Sequence, residues 1–234
     1  MPLFRLTDEP VFPSPELAEE DGLLAVGGDL SEERLLRAYS MGIFPWYSEE
    51  YPILWWSPDP RLILIPEELK ISRSLRKTIN KGMFTVTFDT AFAAVIKSCS
   101  EVHRESDGST WLTVEMIKAY TRLHHAGFAH SVESWCEGEL AGGLYGVALG
   151  GIFFGESMFT RRSDASKVAF VQLVRTLMRW KFRLIDCQVT TEHLMSLGAR
   201  EIPRSEFMAL LREAVELPTR QGNWTVKDAG GRIL

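Results

Sequence analysis

The chain is long enough, at 234 residues with 45% hydrophobic and 24% charged residues, to bury the core of one large domain or of a small domain joined to a larger one. Its net charge of −5 argues against a nucleic-acid-binding surface over the whole protein, although a local basic patch remains open. The three cysteines are odd in number and form no CxxC motif, which is typical of a reducing cytoplasm, and no cluster of cysteine and histidine has metal-ligand spacing.

The N-terminal region, residues 10–60, is rich in proline, glycine and aromatic residues and contains one clear helix. Ser31 is a suitable N-cap, and the two glutamates after it suit the positive end of the helix dipole. Gly42 follows the apolar segment as a typical helix stop. The rest of this region is expected to form turns and short strands.

A basic amphipathic helix is predicted at 67–81, directly after a short strand at 61–66. Its last twelve residues, 70–81, include five basic residues and no acidic one, contrary to the sign of the net charge. The plain interpretation is a solvated helix face. The alternative is a surface that contacts the phosphates of a nucleic acid.

The remaining elements combine helices with a meander of strands, which predicts an α+β fold with helices packed on a largely antiparallel sheet. The strands are expected at 84–88, 129–136, 140–149, 152–159 and 183–189. The helices are expected at 91–100, 113–127, 165–180, 192–198 and 205–214.

Two of the predicted strands contain a carboxylate at a position where an apolar residue is expected: Glu156 in IFFGESMF and Asp186 in LIDCQ. A buried carboxylate is costly to desolvate, so it needs a partner or a function. Because strand side chains alternate between faces, we expect Asp186 and Gln188 on one face and Ile185 and Cys187 on the other. The alternative is that both acids are ion-paired and structural.

Two tryptophans lie in loop-like segments, Trp46 in FPWY and Trp111 in STWL. Each could belong to the core, or could stack on a nucleobase. The glycines of LAGGLYGVALGG weaken strand pairing, which indicates bulges and turns or, alternatively, the close approach of a ligand to the sheet.

We expect a cytoplasmic protein that needs neither a membrane nor a metal. The first ten residues lack the basic start and apolar run of a signal peptide. The longest uncharged stretch, 140–155, is shorter than the ~20 residues that span a bilayer and contains several glycines, so it is expected to form sheet.

A series of short strings, taken together and in this order, resembles the family of leucyl/phenylalanyl-tRNA–protein transferases. They lie between about residues 12 and 207: FPSPE, GLLAVGGDLS, RLLRAYSMGIFPWY, LWWSPDPR, TWLT, HSVE, GGLYGVA, GESMF, ASK, LIDCQ, HLMSLGA and IPR.

The resemblance implies a small N-terminal α/β domain, residues 1–60, followed by a GNAT-like (acetyltransferase-type) domain, residues 61–234, with a mostly antiparallel sheet flanked by helices. It implies an aminoacyltransferase that moves leucine or phenylalanine, and methionine less readily, from aminoacyl-tRNA to the α-amino group of a protein beginning with arginine or lysine. The product would carry a degradation signal of the N-degron route. The family uses no metal and no coenzyme, so no cofactor is expected.

The resemblance also assigns roles to residues. Asp186 and Gln188 match the family's catalytic pair, and Glu156, which we group with them, matches an acid at the bottom of the amino-acid pocket. Trp46 and Trp111 match residues around the terminal adenosine of the tRNA. The apolar pocket for the transferred side chain would be formed by Leu144, Phe153, Met158, Phe170, Leu173, Leu177 and Ile185. The basic helix would contact tRNA through Arg73, Lys77 and Lys81.

The reaction implied is the aminolysis of an activated ester. We expect Gln188 to contact the attacking amine, while Asp186 orients that amide or neutralises the developing ammonium. The alternative is that a hydroxyl of the terminal adenosine relays the proton and that the pair only positions the reacting groups.

Two other functions remain open from the sequence. An acyl-coenzyme A–dependent N-acetyltransferase would share the fold, but no glycine-rich phosphate loop precedes the helix at 165–180. A tRNA-binding module without catalysis would keep the basic helix but would not need LIDCQ.

Overall fold

The computed structural model of the protein describes residues 3–107 and 112–225. The strands are β1 Phe4–Leu6, β2 Leu23–Gly27, β3 Phe44–Pro45, β4 Leu54–Trp56, β5 Arg61–Leu64, β6 Thr85–Phe88, β7 Ala129–Cys136, β8 Glu139–Leu149, β9 Ile152–Thr160, β10 Leu184–Gln188 and β11 Arg200–Ile202. The helices are α1 Glu32–Ser40, α2 Arg73–Asn80, α3 Phe92–Asp107, α4 Val114–His125, α5 Ala165–Arg179, α6 Glu192–Ser196 and α7 Arg204–Val215, with short 3-10 helices at Pro15–Leu17 and Pro66–Glu68.

The strands form two sheets. The small sheet has the order β1-β2-β4-β3, and the large sheet has the order β11-β5-β10-β9-β8-β7-β6. Every neighbouring pair in the large sheet is antiparallel except β9 and β10, which are parallel. The α+β fold with a mostly antiparallel sheet flanked by helices is therefore confirmed.

Helices cover both faces of the large sheet. In β8 the buried residues alternate between two hydrophobic clusters, because successive side chains of a strand point to opposite faces. Tyr145 and Val147 pack in the cluster that contains α3 and α4, whereas Leu144 and Ala148 pack in the cluster that contains α5.

One hydrophobic core connects the two sheets. The cluster that contains α3 and α4 also includes Leu24 and Trp55 of the small sheet, Tyr39 of α1 and Phe207 of α7. The small sheet therefore packs on the large one through buried apolar side chains. A domain boundary at residue 60 stays a prediction.

The basic helix is shorter than the sequence predicts. The segment 67–81 was expected to be helical throughout, but α2 begins at Arg73, where the Ser72 hydroxyl accepts a hydrogen bond from the backbone N–H of Leu75 at 3.2 Å. The backbone N–H of Lys70 is instead bonded to the carbonyl of Leu197, the residue that follows α6, so Lys70 is not part of the helix. Among the described residues, no helix is both long and apolar enough to cross a bilayer.

Candidate active site

A cavity of about 580 Å³ lies between β8, β9, β10 and α5, and we call it the site cavity. Six of the seven residues predicted to form an apolar pocket line it: Leu144, Phe153, Met158, Phe170, Leu173 and Ile185. The seventh, Leu177, is buried in the same hydrophobic cluster but does not line the cavity. The sheet thus presents a largely apolar surface to a ligand.

Glu156 is the carboxylate that lines the site cavity, and three side chains donate hydrogen bonds to it. The Tyr39 hydroxyl lies 2.7 Å from Oε1, the Tyr120 hydroxyl 2.7 Å from Oε2, and the Gln188 amide Nε2 2.9 Å from Oε1. The two tyrosine hydroxyls are also 2.5 Å apart. The donors come from α1, α4 and β10, so three separate elements converge on one carboxylate.

Opposing effects determine the pKa of Glu156. Burial raises its pKa to about 7, while the hydrogen bonds from Tyr120, Tyr39 and Gln188 act in the opposite direction. Burial also raises the pKa of the Tyr39 and Tyr120 hydroxyls well above their ordinary value, and the charge of Glu156 adds to that effect. Both tyrosines therefore stay protonated and can donate to the carboxylate.

Asp186 is buried, and other groups of the protein donate hydrogen bonds to its carboxylate. Its carboxylate accepts hydrogen bonds from Arg61 Nε at 2.8 Å and Arg61 Nη2 at 2.6 Å, and from the backbone N–H of Gln188 at 2.9 Å. Arg61 and Asp186 are 1% and 0% exposed. Asp186 does not line the site cavity, whereas Gln188 does.

Ile185 and Cys187 pack together in the cluster that contains α5, and the Asp186 carboxylate is directed away from them to Arg61, as strand alternation predicts. The pairing of β10 with β5 shifts between Asp186 and Gln188, so the position of Gln188 does not follow from alternation alone. Gln188 itself has a φ of +62°, in the left-handed region. For a residue other than glycine that conformation costs roughly 1–2 kcal/mol.

Cys187 lies on the face that strand alternation predicts, and it also lines the site cavity. Burial, with the nearby charge of Asp186, raises the pKa of its thiol far above the ordinary value. A thiol of that kind stays protonated and is a poor nucleophile.

Of the two tryptophans, Trp46 lies at the site cavity and Trp111 lies outside the described residues. Trp46 is 42% exposed and its ring contacts that of Trp56 edge-on, with 5.7 Å between the centroids. An aromatic face so exposed beside a cavity is suited to stacking on a planar ligand.

The basic residues of α2 lie together at a shallow groove that is separate from the site cavity. Arg73, Lys77 and Lys81 line it together with Arg76 and Asn80. Leu75, on the opposite side of the helix, is buried in the cluster that contains α5. The basic face of α2 is therefore presented to solvent.

Several residues at the site are not predicted by the sequence. Tyr39 and Tyr120 lie within apolar helix patterns, which predict only core residues. Arg61 does carry a signal, because an arginine at the start of the apolar strand RLIL indicates a buried charge. Tyr145 also lines the cavity, and its buried hydroxyl has no hydrogen-bond partner in the described part of the chain. His193 lines the cavity as well, and burial lowers its pKa.

Comparison with known proteins shows which family this architecture resembles. A family model described as leucyl/phenylalanyl-tRNA protein transferase matches residues 63–212, and a model of the N-terminal domain of the same family matches residues 28–59. The chain is 63% identical to the leucyl/phenylalanyl-tRNA–protein transferase of Syntrophobacter fumaroxidans over 99% of both chains. It is 62% identical to that of an Anaeromyxobacter species over 99% of this chain and 98% of the relative.

Solved structures with some likeness are far more distant. L-PGS from Bacillus licheniformis has a TM-score of 0.41 at 11% identity, over 72% of this chain and 53% of the other. A GCN5-related N-acetyltransferase from Kribbella flavida has a TM-score of 0.36 at 12% identity, over 70% of this chain and 57% of the other.

Proposed function

The chain belongs to the leucyl/phenylalanyl-tRNA–protein transferase family, aminoacyltransferases that move an aminoacyl group from tRNA to a protein, and we propose that it uses leucine or phenylalanine, with methionine less readily, as the transferred group. The acceptor in this proposal is the α-amino group of a protein or peptide that begins with arginine or lysine. The product then carries a new N-terminal residue that serves as a degradation signal in the N-degron pathway, in the cytoplasm.

The observation that carries the proposal is the pairing of a largely apolar cavity with one carboxylate–amide pair at its wall. The apolar residues accept a leucyl, phenylalanyl or methionyl side chain, and one methylene contributes only about 1–3 kcal/mol to discrimination in such a pocket. We therefore expect the cavity to accept leucyl, phenylalanyl and methionyl groups. Glu156 and Gln188 supply the polar groups that orient the ester and the amine.

The chemistry requires little covalent help from the protein. The acceptor nitrogen bonds to the ester carbonyl carbon, the bond from that carbon to the ribose oxygen breaks, and the extra proton of the nitrogen passes to the ribose oxygen. Holding the two reactants in line and excluding water account for most of the acceleration in this proposal.

Gln188 is placed beside the attacking amine in this mechanism. Its Nε2 donates to Glu156, so the amide is oriented and its carbonyl oxygen is the acceptor that it can offer to the amine. A neutral amide is a very poor base, which favours proton transfer through a hydroxyl of the terminal adenosine. Glu156 acts by fixing the amide, and Asp186 acts by orienting Gln188.

The tRNA contacts are proposed at two places. Arg73, Lys77 and Lys81 of α2 would contact phosphates, because they lie together on an exposed basic face of an otherwise acidic protein. Trp46 and Trp111 would hold the terminal adenosine, and the exposed ring of Trp46 at the cavity supports the first of these.

A single assay tests the function. The protein is mixed with labelled leucyl-tRNA and a peptide that begins with arginine, without coenzyme A, and label on the peptide is measured. We expect transfer to peptides beginning with arginine or lysine and none to the same peptide with an acetylated N-terminus. Gln188→Ala should slow single-turnover transfer by at least about tenfold, since a positioned group near the reacting atoms is lost.

Two results would contradict the proposal. Absence of transfer while leucyl-tRNA still binds would indicate a binding module. Equal transfer to peptides beginning with alanine or glutamate would refute the acceptor preference and leave only the general aminoacyl transfer of the family.

A further inference from the structure

The Asp186 carboxylate is directed to Arg61 and to the main chain of Gln188 and not to the site cavity. Arg61 binds both carboxylate oxygens, at 2.8 Å and 2.6 Å, in a bidentate pair. The backbone N–H of Gln188 bonds to Oδ1 at 2.9 Å. A carboxylate with these partners has fixed geometry, which is what a supporting residue needs.

The backbone of Gln188 adopts a left-handed conformation. Its φ of +62° is unusual for a residue with a long side chain, and the ladder between β10 and β5 is irregular at the same place. Such conformations persist where the surrounding structure holds them, and they occur often at functional sites. Here the conformation places the amide 2.9 Å from Glu156.

Arg61 is itself held firmly. It begins β5, which pairs with β10, so its Cα is fixed relative to Asp186 by the sheet. Its guanidinium carbon lies 4.8 Å from the centroid of the Phe44 ring and 4.6 Å from that of Phe207. These aromatic contacts compensate in part for the loss of water around a buried cation.

We propose that Arg61 is a positioning residue of the transferase site: through Asp186 it fixes the backbone of Gln188, so that Asp186 supports the Gln188 main chain and does not act on the reacting amine. We call the three residues the Arg61–Asp186–Gln188 clasp. The inference rests on the proposed function only in placing Gln188 beside the amine. Replacing a buried ion pair by apolar residues is often neutral for stability. Stability therefore does not explain why Arg61 and Asp186 form a buried ion pair here.

The kinetic test compares two buried arginines. Arg61→Lys keeps the charge but cannot form the bidentate pair. Arg34→Lys is the matched control, because Arg34 is 0% exposed and pairs with Asp29 but lies away from the site cavity. We expect Arg61→Lys to lower kcat about 10- to 100-fold with KM for leucyl-tRNA changed less than about threefold, since misplacing a group by about 1 Å has effects of this size.

The control should lower the melting temperature without this loss of kcat. A purely structural role of Arg61 would make both variants less stable and leave kcat of the folded protein unchanged. That result would overturn the proposal.

A second measurement does not depend on activity. The chain has only three glutamines, Gln172, Gln188 and Gln221, so ¹⁵N-glutamine labelling gives three backbone amide signals. In the unmodified protein the Gln188 backbone N–H should exchange slowly with solvent because Asp186 accepts its hydrogen bond. In Arg61→Lys and in Asp186→Asn its exchange should quicken, while Gln172 and Gln221 stay unchanged.

The two readouts separate the outcomes. Rapid exchange of Gln188 in the unmodified protein refutes the clasp even if Arg61→Lys fails to fold. A fall in kcat with the Gln188 signal unchanged refutes it as well, because Arg61 would then act by another route. If the unmodified protein transfers no aminoacyl group, the proposed function fails while the exchange measurement still tests the clasp.

Discussion

At the scale of single residues, Glu156 is the group whose ionisation is coupled most directly to the site. Burial favours its protonated form, whereas hydrogen bonds from two tyrosine hydroxyls and one amide favour the carboxylate. The result is a pKa of about 7, against an ordinary value of 4.5. A small change in any donor should therefore change the charge of the site near neutral pH.

Glu156 should make stability depend on pH. Because its pKa is higher in the folded state, the folded protein binds more protons than the unfolded chain between about pH 4.5 and 7. The contribution of Glu156 is fully present below about pH 4.5, is lost as pH rises through about 7, and amounts to at most about 3 kcal/mol. In Glu156→Gln this decline should disappear, as measured by urea unfolding at pH 5, 6, 7 and 8.

Tyr39→Phe provides the comparison for that measurement. The variant removes one donor that stabilises the carboxylate, so the pKa of Glu156 should rise further and the decline should extend to higher pH. An identical pH dependence in the unmodified protein and in Glu156→Gln would show that Glu156 does not titrate in this range.

At the scale of elements, β10 shows how far the sequence could predict the site. The sequence LIDCQ predicts the strand and its burial, and the resemblance to the family predicts that Asp186 and Gln188 act at the site. The irregular pairing with β5 is not predicted, since it depends on a neighbouring strand more than 120 positions away and on the ion pair with Arg61. Strand alternation therefore predicts the face of Cys187 correctly but does not predict how Gln188 reaches Glu156.

In the N-terminal region and α2, too, the sequence predicts features that depend on local patterns and misses those that depend on distant residues. The helix α1 was predicted with its Ser31 cap, because capping is a local signal. The small sheet was expected only as unspecified short strands, and β11 was not predicted, because three-residue strands carry too few side chains for a period to be recognised. The start of α2 depends on a bond between Lys70 and Leu197, which no local pattern contains.

The helix α5 offers a matched pair for donor selectivity. Leu173 lines the site cavity, and Leu177, one turn later, is equally buried but does not. Either change to alanine should destabilise the protein by about 2–5 kcal/mol. Only Leu173→Ala should change the ratio of phenylalanyl to leucyl transfer, because it alone enlarges the cavity. Competition assays with both charged tRNAs measure the ratio, and an equal change in both variants would contradict the assignment.

The helix α2 should contribute to tRNA binding and not to the chemical step. Arg73→Ala and Lys77→Ala should each raise KM for leucyl-tRNA and reduce the slope of log affinity against log salt by about 1. Neither should affect transfer from a short leucyl-adenosine donor. Lys118→Ala, an exposed lysine of α4, is the control. Equal losses with the short donor would place α2 at the chemical site instead.

At the scale of the whole molecule, the site is assembled from both sheets. Glu156 receives a hydrogen bond from Tyr39 of α1, and the site cavity is lined by Phe44, Pro45 and Trp46 as well as by the large sheet. Tyr39 and Phe44 also belong to a core that extends to Phe154 and Phe207. The part of the chain before residue 61 is therefore a wall of the cavity and a large share of the core.

This arrangement predicts that the chain unfolds as one unit. A fragment of residues 61–234 should lack a cooperative transition in urea and should transfer no leucine, because removing residues 1–60 exposes the buried faces of Tyr120, Phe154 and Phe207 to water. The full chain should show one transition by circular dichroism and by tryptophan fluorescence at the same urea concentration. Two separated transitions, or a fragment that folds cooperatively and still binds leucyl-tRNA, would show instead that the N-terminal part is an independent domain docked on a complete catalytic one.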